Sequence, residues 1–200
     1  MYRRYRLLIC LPLLFQSFLS CAQPLNKKEI FTRQDTLRGS NGPGRDWWDV
    51  TNYNINITPD YISKRIRGQV TISYRVPLDV SNKYMQIDLQ EPMQIDSRKE
   101  GHMKLTQFSR EGKVYIIDLS NKKFQASFPD KPLKVVYLLT IYFSGKPREA
   151  VNPPWEGGWI WTKDNRGRPW MTVACQGLGA SVWYPCKDYQ GDEPDSGAIL

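Results

Sequence analysis

The chain has 200 residues, 40% hydrophobic and 12% aromatic, which is long enough for one cored domain and too apolar for a disordered chain. Its formal charge is +8, from 28 basic and 20 acidic residues. The basic residues form separate short clusters (Lys27-Lys28, Lys64-Arg65 with Arg67, Lys122-Lys123) with no stripe interleaved with aromatics, which argues against a nucleic-acid partner.

Residues 1–22 read as a signal peptide. Arg3, Arg4 and Arg6 precede an apolar run from Leu7 to Phe15, which is too short to span a bilayer. Two exits fit the end of this segment. Ser20 and Ala22 suit a signal-peptidase site that leaves Gln23 as the new terminus. Alternatively, Phe18-Leu-Ser-Cys21 is an imperfect lipobox that would lipidate Cys21. Either exit places the mature protein outside the cytoplasm with a charge of +5, because the leader carries three arginines and no acid.

Residues 23–45, with Pro24, Gly39, Gly42, Pro43 and Gly44, read as a polar linker, and the folded domain is expected over residues 46–200. Val50, Tyr53, Ile55 and Ile57 predict a half-buried strand that ends at Pro59-Asp60. Ile66, Val70, Ile72, Tyr74 and Val76 predict a second strand, with Gly68 marking a bulge or a close approach. Met85 to Leu89 alternates as a third strand, and Met93 to Asp96 echoes it. Lys104–Phe108 and Lys113–Leu119 flank Arg110-Glu-Gly112 as a hairpin. Leu133 to Phe143 predicts a central strand buried on both faces at its middle. Trp159-Ile-Trp161 and Trp170 to Cys175 pair across a turn at Asp164–Gly167. No segment up to there carries a helical period, so the fold class is all-β, an antiparallel sandwich or open barrel. Asp192, followed by Glu193, Pro194 and Asp195, predicts a helix N-cap near the C-terminal end.

The chemistry is sparse. His102 is the single histidine, placed in a charged hairpin, which leaves no histidine-based catalytic centre. Cys10 and Cys21 belong to the leader. Cys175 and Cys186 are candidates for a disulfide in an oxidising compartment, although their spacing does not decide it. They lack zinc spacing. Asp188, Asp192, Glu193 and Asp195 lack the ordered loop of a calcium site. Trp155, Trp159, Trp161, Trp170, Trp183 and Tyr184 suit either packing or a carbohydrate-stacking platform.

Val173-Ala-Cys-Gln-Gly-Leu-Gly-Ala-Ser-Val-Trp-Tyr-Pro-Cys-Lys-Asp188 resembles a signature of the aminopeptidase N / leukotriene A4 hydrolase family of zinc peptidases, near the end of that family's N-terminal domain. Trp48 to Ile57, Ile66 to Ile72 and Tyr142 to Ala150 resemble further segments in the same order, the last of them as found in the exported bacterial branch. The resemblance implies a saddle-shaped β domain that packs on a zinc-bearing catalytic domain, normally in the same chain. It gives Gln176, with Gly177 beside it, a role in holding the N-terminus of a peptide substrate. A Gln suits that task, since its carbonyl accepts from an ammonium and its amide donates to a carbonyl. Ala174 and Ser181 depart from the family's usual Gln and Arg. The zinc motif H-E-x-x-H is not in the sequence, so the resemblance implies a chain cut before its catalytic domain, with no catalytic residue and no zinc of its own. The alternative is a free-standing exported β-sandwich that binds glycans or acts as a protein adaptor.

Overall fold

A computed structural model describes residues 30, 32–76, 84–100, 103–104, 107–120 and 135–200. The leader with Cys10 and Cys21, His102, Lys122-Lys123 and the start of the predicted Leu133–Phe143 strand lie outside these residues.

The described residues are all-β, in open and mainly antiparallel sheets. After the helix α1 (Arg33–Gly39) come β1 (Asp49–Asp60), β2 (Arg65–Arg75), β3 (Tyr84–Asp88), β4 (Gln94–Glu100), β5 (Met103–Lys104), β6 (Phe108–Glu111), β7 (Val114–Asp118), β8 (Tyr137–Gly145), β9 (Gly158–Lys163), β10 (Pro169–Ala174) and β11 (Ser196–Ile199). One sheet runs in the order β11-β1-β2-β8-β4-β5; the others are β3-β7-β6 and the β9–β10 hairpin.

The core follows from the alternation in β1, β2 and β8. Ile66, Val70, Ile72, Tyr74 and Val76 are buried, as the period-2 pattern predicts. Val50 and Tyr53 both point inward, although three positions separate them. The pairing register slips between Val50 and Asn52, and this irregularity resets the alternation. Leu139, Ile141 and Phe143 of β8 are buried while Thr140 and Tyr142 are only half-covered. Thus β8 is central in its sheet but buried on one face, not on both as predicted. Met85, Ile87 and Ile117 of the three-stranded sheet close the same hydrophobic cluster.

Gly68 marks a close approach. A Cβ there would sit 2.7 Å from the Asn56 carbonyl oxygen and 2.8 Å from Phe143 Cζ. In the β6–β7 hairpin, Glu111 pairs with Val114, so Arg110 and Glu111 belong to the strand and only Gly112-Lys113 turns.

Two other segments differ from the sequence-based expectation. Within the predicted linker, residues 33–39 form α1, and Arg45 is fully buried. No α1 residue is buried; polar bonds hold the helix, which hydrophobic periodicity does not register. At the other end, no helix starts at Asp192. Its carboxylate accepts from the Val50 backbone N–H and from Lys187 Nζ, so it is not available as a cap. Residues 196–199 instead extend the sheet as β11, parallel to the edge of β1. Leu200 N donates to Ile55 O at 2.8 Å and Ile57 N to Leu200 O at 3.0 Å, which satisfies an open strand edge.

Replacing Gly68 with Ala is expected to cost about 1–3 kcal/mol, because the ring of Phe143 and the β1 backbone would both have to shift. Urea unfolding should show a lowered midpoint with unchanged slope; an unchanged midpoint would contradict the packing described.

Candidate functional site

The segment from Cys175 to Gln190 runs over the end of the sandwich and is fixed to it at several points. Cys175 O accepts from Leu178 N (3.0 Å) and Gly179 N (2.9 Å), which closes a tight loop with Gln176 and Gly177 at its tip. Both tip residues are exposed. Gly177 and Gly179 have φ of +70° and +80°, values that favour glycine. At Gly179 a Cβ would also fall 2.0 Å from Asp188 Oδ2, so the loop rests directly on that carboxylate. The short 3₁₀ turn Ala180–Val182 follows. Ser181 Oγ donates to Asp188 Oδ2 at 2.6 Å, and buried Gln90 donates through Nε2 to Leu178 O (2.6 Å) and Ser181 Oγ (3.0 Å).

Beneath the loop lies a buried ion pair. Arg45 Nε donates to Asp88 Oδ2 at 3.2 Å and Arg45 Nη2 donates to Asp88 Oδ1. Their side chains are 0% and 1% exposed. Asp88 also accepts from Gln86 Nε2 (3.1 Å) and from the backbone N–H of Asp188 (2.8 Å). Burial pushes the Asp88 carboxyl above its ordinary range, against the pull of Arg45 and of that N–H. Asp88 and Cys186 exchange backbone bonds in both directions, at 2.8 and 3.1 Å. This bridge fastens Pro185-Cys-Lys-Asp188 to β3. Lys187 is buried too: its Nζ donates to Trp48 O and Asp192 and lies 4.7 Å from the centroid of the Trp48 ring.

The helix α1 forms a second wall. Arg38 Nη2 donates to Gly177 O. Gln86 Nε2 donates to Leu37 O at 2.7 Å, and Arg45 Nη2 to Arg38 O at 3.2 Å, so two side chains from the sandwich take up carbonyls at the end of the helix. Between this wall and the loop lies an open cleft of about 700 Å³ lined by Asp35, Arg38, Gln176, Gly177, Asp188 and Tyr189, among others. Gln176 therefore lines this cleft. The contribution of α1 to that cleft was hidden in the sequence, because Arg33–Gly39 carries no apolar stripe.

Cys175 and Cys186 are both free thiols. Cys186 is buried, and desolvation with the nearby Asp188 and Asp88 charges pushes its thiol well above the ordinary value. Burial also raises Cys175. The tryptophans divide. Trp159 is in the core; Trp161 and Trp183 are half-buried, with ring centroids 5.3 and 5.9 Å from Trp159. Trp155 and Trp170 are 69% and 59% exposed. The buried indole N–H groups of Trp159 and Trp161 meet no acceptor among the described residues. No group of three His, Cys, Asp or Glu side chains is arranged to hold a metal among the described residues, so they do not fit a zinc site. No helix among them is long and apolar enough to cross a membrane.

No protein-family model matches the sequence, and no curated protein does. Solved structures do match the fold. The chain is similar to leukotriene A4 hydrolase from Saccharomyces cerevisiae in complex with bestatin, with a TM-score of 0.55 and 14% identity over 94% of this chain and 27% of that one. It is similar also to an M1 zinc metallopeptidase mutant from Deinococcus radiodurans bound to a Tyr-Ser-Ala substrate, with a TM-score of 0.51 and 14% identity over 78% of this chain and 32% of that one. The fold is thus one that zinc metallopeptidases of this kind contain, and the chain spans about a third or less of their length.

Thiol chemistry checks the burial of the segment. At pH 8, iodoacetamide should label Cys175 slowly in the native protein and Cys186 only in denaturant, as read by peptide mass mapping. Fast native labelling of Cys186, or a Cys175–Cys186 disulfide in the purified protein, would contradict the geometry.

Proposed function

We propose that the chain is the non-catalytic N-terminal domain of an exported aminopeptidase-like zinc metallopeptidase. In this reading it scaffolds a catalytic domain that carries the zinc, and it holds the N-terminus of the peptide substrate through Gln176 and Gly177. The single observation that carries the reading is the placement of Gln176, at the exposed tip of a loop that is rigidly anchored beneath and opens into a cleft. The shared fold supports it, as do the peptide and bestatin complexes among the similar structures. The exposed Trp155 and Trp170, together with Val151 at 76% exposure, offer apolar surface suited to packing against a further domain. Export by the leader at residues 1–22, with lipidation at Cys21 as one of its two exits, belongs to the same proposal.

Within such a protein the residues described would bind and orient substrate. Gln176 Oε1 would accept from the substrate ammonium, and Gln176 Nε2 would donate to an adjacent peptide carbonyl. The metal, when bound in the catalytic domain, would supply the activated water for hydrolysis.

Three measurements test the proposal. The gene's reading frame should continue beyond codon 200 to an H-E-x-x-H motif. In the protein made from that complete frame, Gln176→Ala should raise KM for an aminoacyl fluorophore about tenfold with kcat changed much less, as expected for loss of uniform binding. Zinc-dependent hydrolysis by the 200-residue chain alone, or an unchanged KM in the variant, would sink the reading.

A further inference from the structure

The basic cluster of Lys64-Arg65 with Arg67 lies on the β1–β2 hairpin, and its three members differ in what they meet. Lys64 closes the turn with a φ of +52°, and its Nζ pairs with Glu149 Oε2 at 2.8 Å. Arg65 and Arg67 begin β2 with buried Ile66 between them, so both project from the outer, exposed face of the sheet. Neither guanidinium has an ion-pair or hydrogen-bond partner among the described residues. Both line an open cleft of about 550 Å³ together with Thr58, Tyr61, Ser63 and Ser144.

The acid among the lining residues is already engaged. Asp60 Oδ1 accepts from Ile62 N at 3.0 Å and Ser63 N at 3.2 Å, and Oδ2 accepts from Ser63 Oγ at 2.7 Å. Ser63 holds the Asp60 carboxyl below its ordinary range, with a smaller pull from Arg67. Asp60 thus ties the turn and closes an ion pair with neither arginine among the described residues. Two guanidinium groups therefore face one occupied carboxylate, and the cleft keeps an excess of positive charge.

The backbone beneath them is fixed. Arg67 sits in register between Thr58 of β1 and Ser144 of β8, and Arg65 pairs with Asp60. The strand rise sets the two arginine Cα atoms about 7 Å apart, a spacing that lets two planar forks bracket one oxyanion. The cleft is larger than a bare oxyanion needs and falls in the size range of small-ligand sites. Tyr61, edge-on to Trp161 with ring centroids 6.2 Å apart, supplies an apolar ring at the same cleft.

We propose that this cleft binds a phosphate ester of a sugar, with Arg65 and Arg67 clasping the phosphate and Tyr61 offering its ring to the sugar. Guanidinium groups suit that task, since each donates two parallel N–H bonds to phosphate oxygens. The site stands independently of the reading of Gln176.

The test titrates the 200-residue chain at low salt with glucose 6-phosphate, glucose and inorganic phosphate, followed through the Ser63 and Arg67 amide resonances. Glucose 6-phosphate should shift them saturably, inorganic phosphate should bind more weakly, and glucose should not bind. Arg65→Gln and Arg67→Gln should each weaken glucose 6-phosphate about fivefold, in keeping with exposed charge pairs. Lys64→Gln removes the same charge from the same hairpin but not from the cleft, and should leave the affinity unchanged. All three side chains are exposed, so resonances of β3 and β7 should stay in place and report an intact fold. An equal loss in Lys64→Gln would reduce the effect to general charge and overturn the proposal. So would unchanged affinity in both arginine variants, equal affinity for inorganic phosphate, or binding of phosphatidylglycerol vesicles without binding of glucose 6-phosphate. None of these outcomes bears on Gln176.

Discussion

The bond between Arg45 and Asp88 is the constraint on which the end of this sandwich depends. A carboxylate and a guanidinium, each essentially unexposed, survive in a protein interior only when paired and hydrogen-bonded on their remaining atoms. Here both are. Asp88 takes two bonds from Arg45, one from Gln86 and one from the Asp188 N–H. Arg45 spends its other donors on the Ser40 and Arg38 carbonyls. One pair thus joins three segments distant in sequence: the end of α1, strand β3, and the Pro185–Asp188 stretch. Removing either partner alone would strand a buried charge, a change that costs about 3–5 kcal/mol in comparable buried pairs.

The candidate site is built outward from that pair. The Asp88–Cys186 backbone bridge places Asp188, Asp188 supports Ser181 and Gly179, and these with Gln90 set the Cys175–Gly179 loop. Lys187, anchored between Trp48 and Asp192, extends the same fixing to β1. The tip bearing Gln176 is exposed, while its supports are buried. Such an arrangement suits binding, because the loop's geometry is settled before a ligand arrives and little ordering entropy remains to be lost.

The sheets were legible in the sequence where one face is apolar and the other polar. The Ile66–Val76 alternation translates directly into burial, and Gly68 is explained by the ring that passes over it. The site was legible only in its loop. Met85-Gln-Ile-Asp88 has the same alternating form as an exposed-face strand, yet Gln86 and Asp88 are buried because α1 and Arg45 cover that face. The helix itself was invisible, since polar bonds to its carbonyls hold it in place of a hydrophobic stripe. At the C-terminal end, Asp192 had the local chemistry of a cap, but Lys187 and the Val50 N–H claim its carboxylate. In each case a tertiary partner far along the chain decided between local alternatives of similar energy.

Hydrogen exchange on an Arg45→Met variant tests this account most directly. The amides of Cys186 and Asp188 should lose their protection, because both donate to Asp88. The amides shared between β2 and β8 should remain protected, since that ladder is formed independently. Wild-type protection at Cys186 and Asp188, or a uniform loss across every strand, would contradict the claim that the Arg45–Asp88 pair specifically holds the site together.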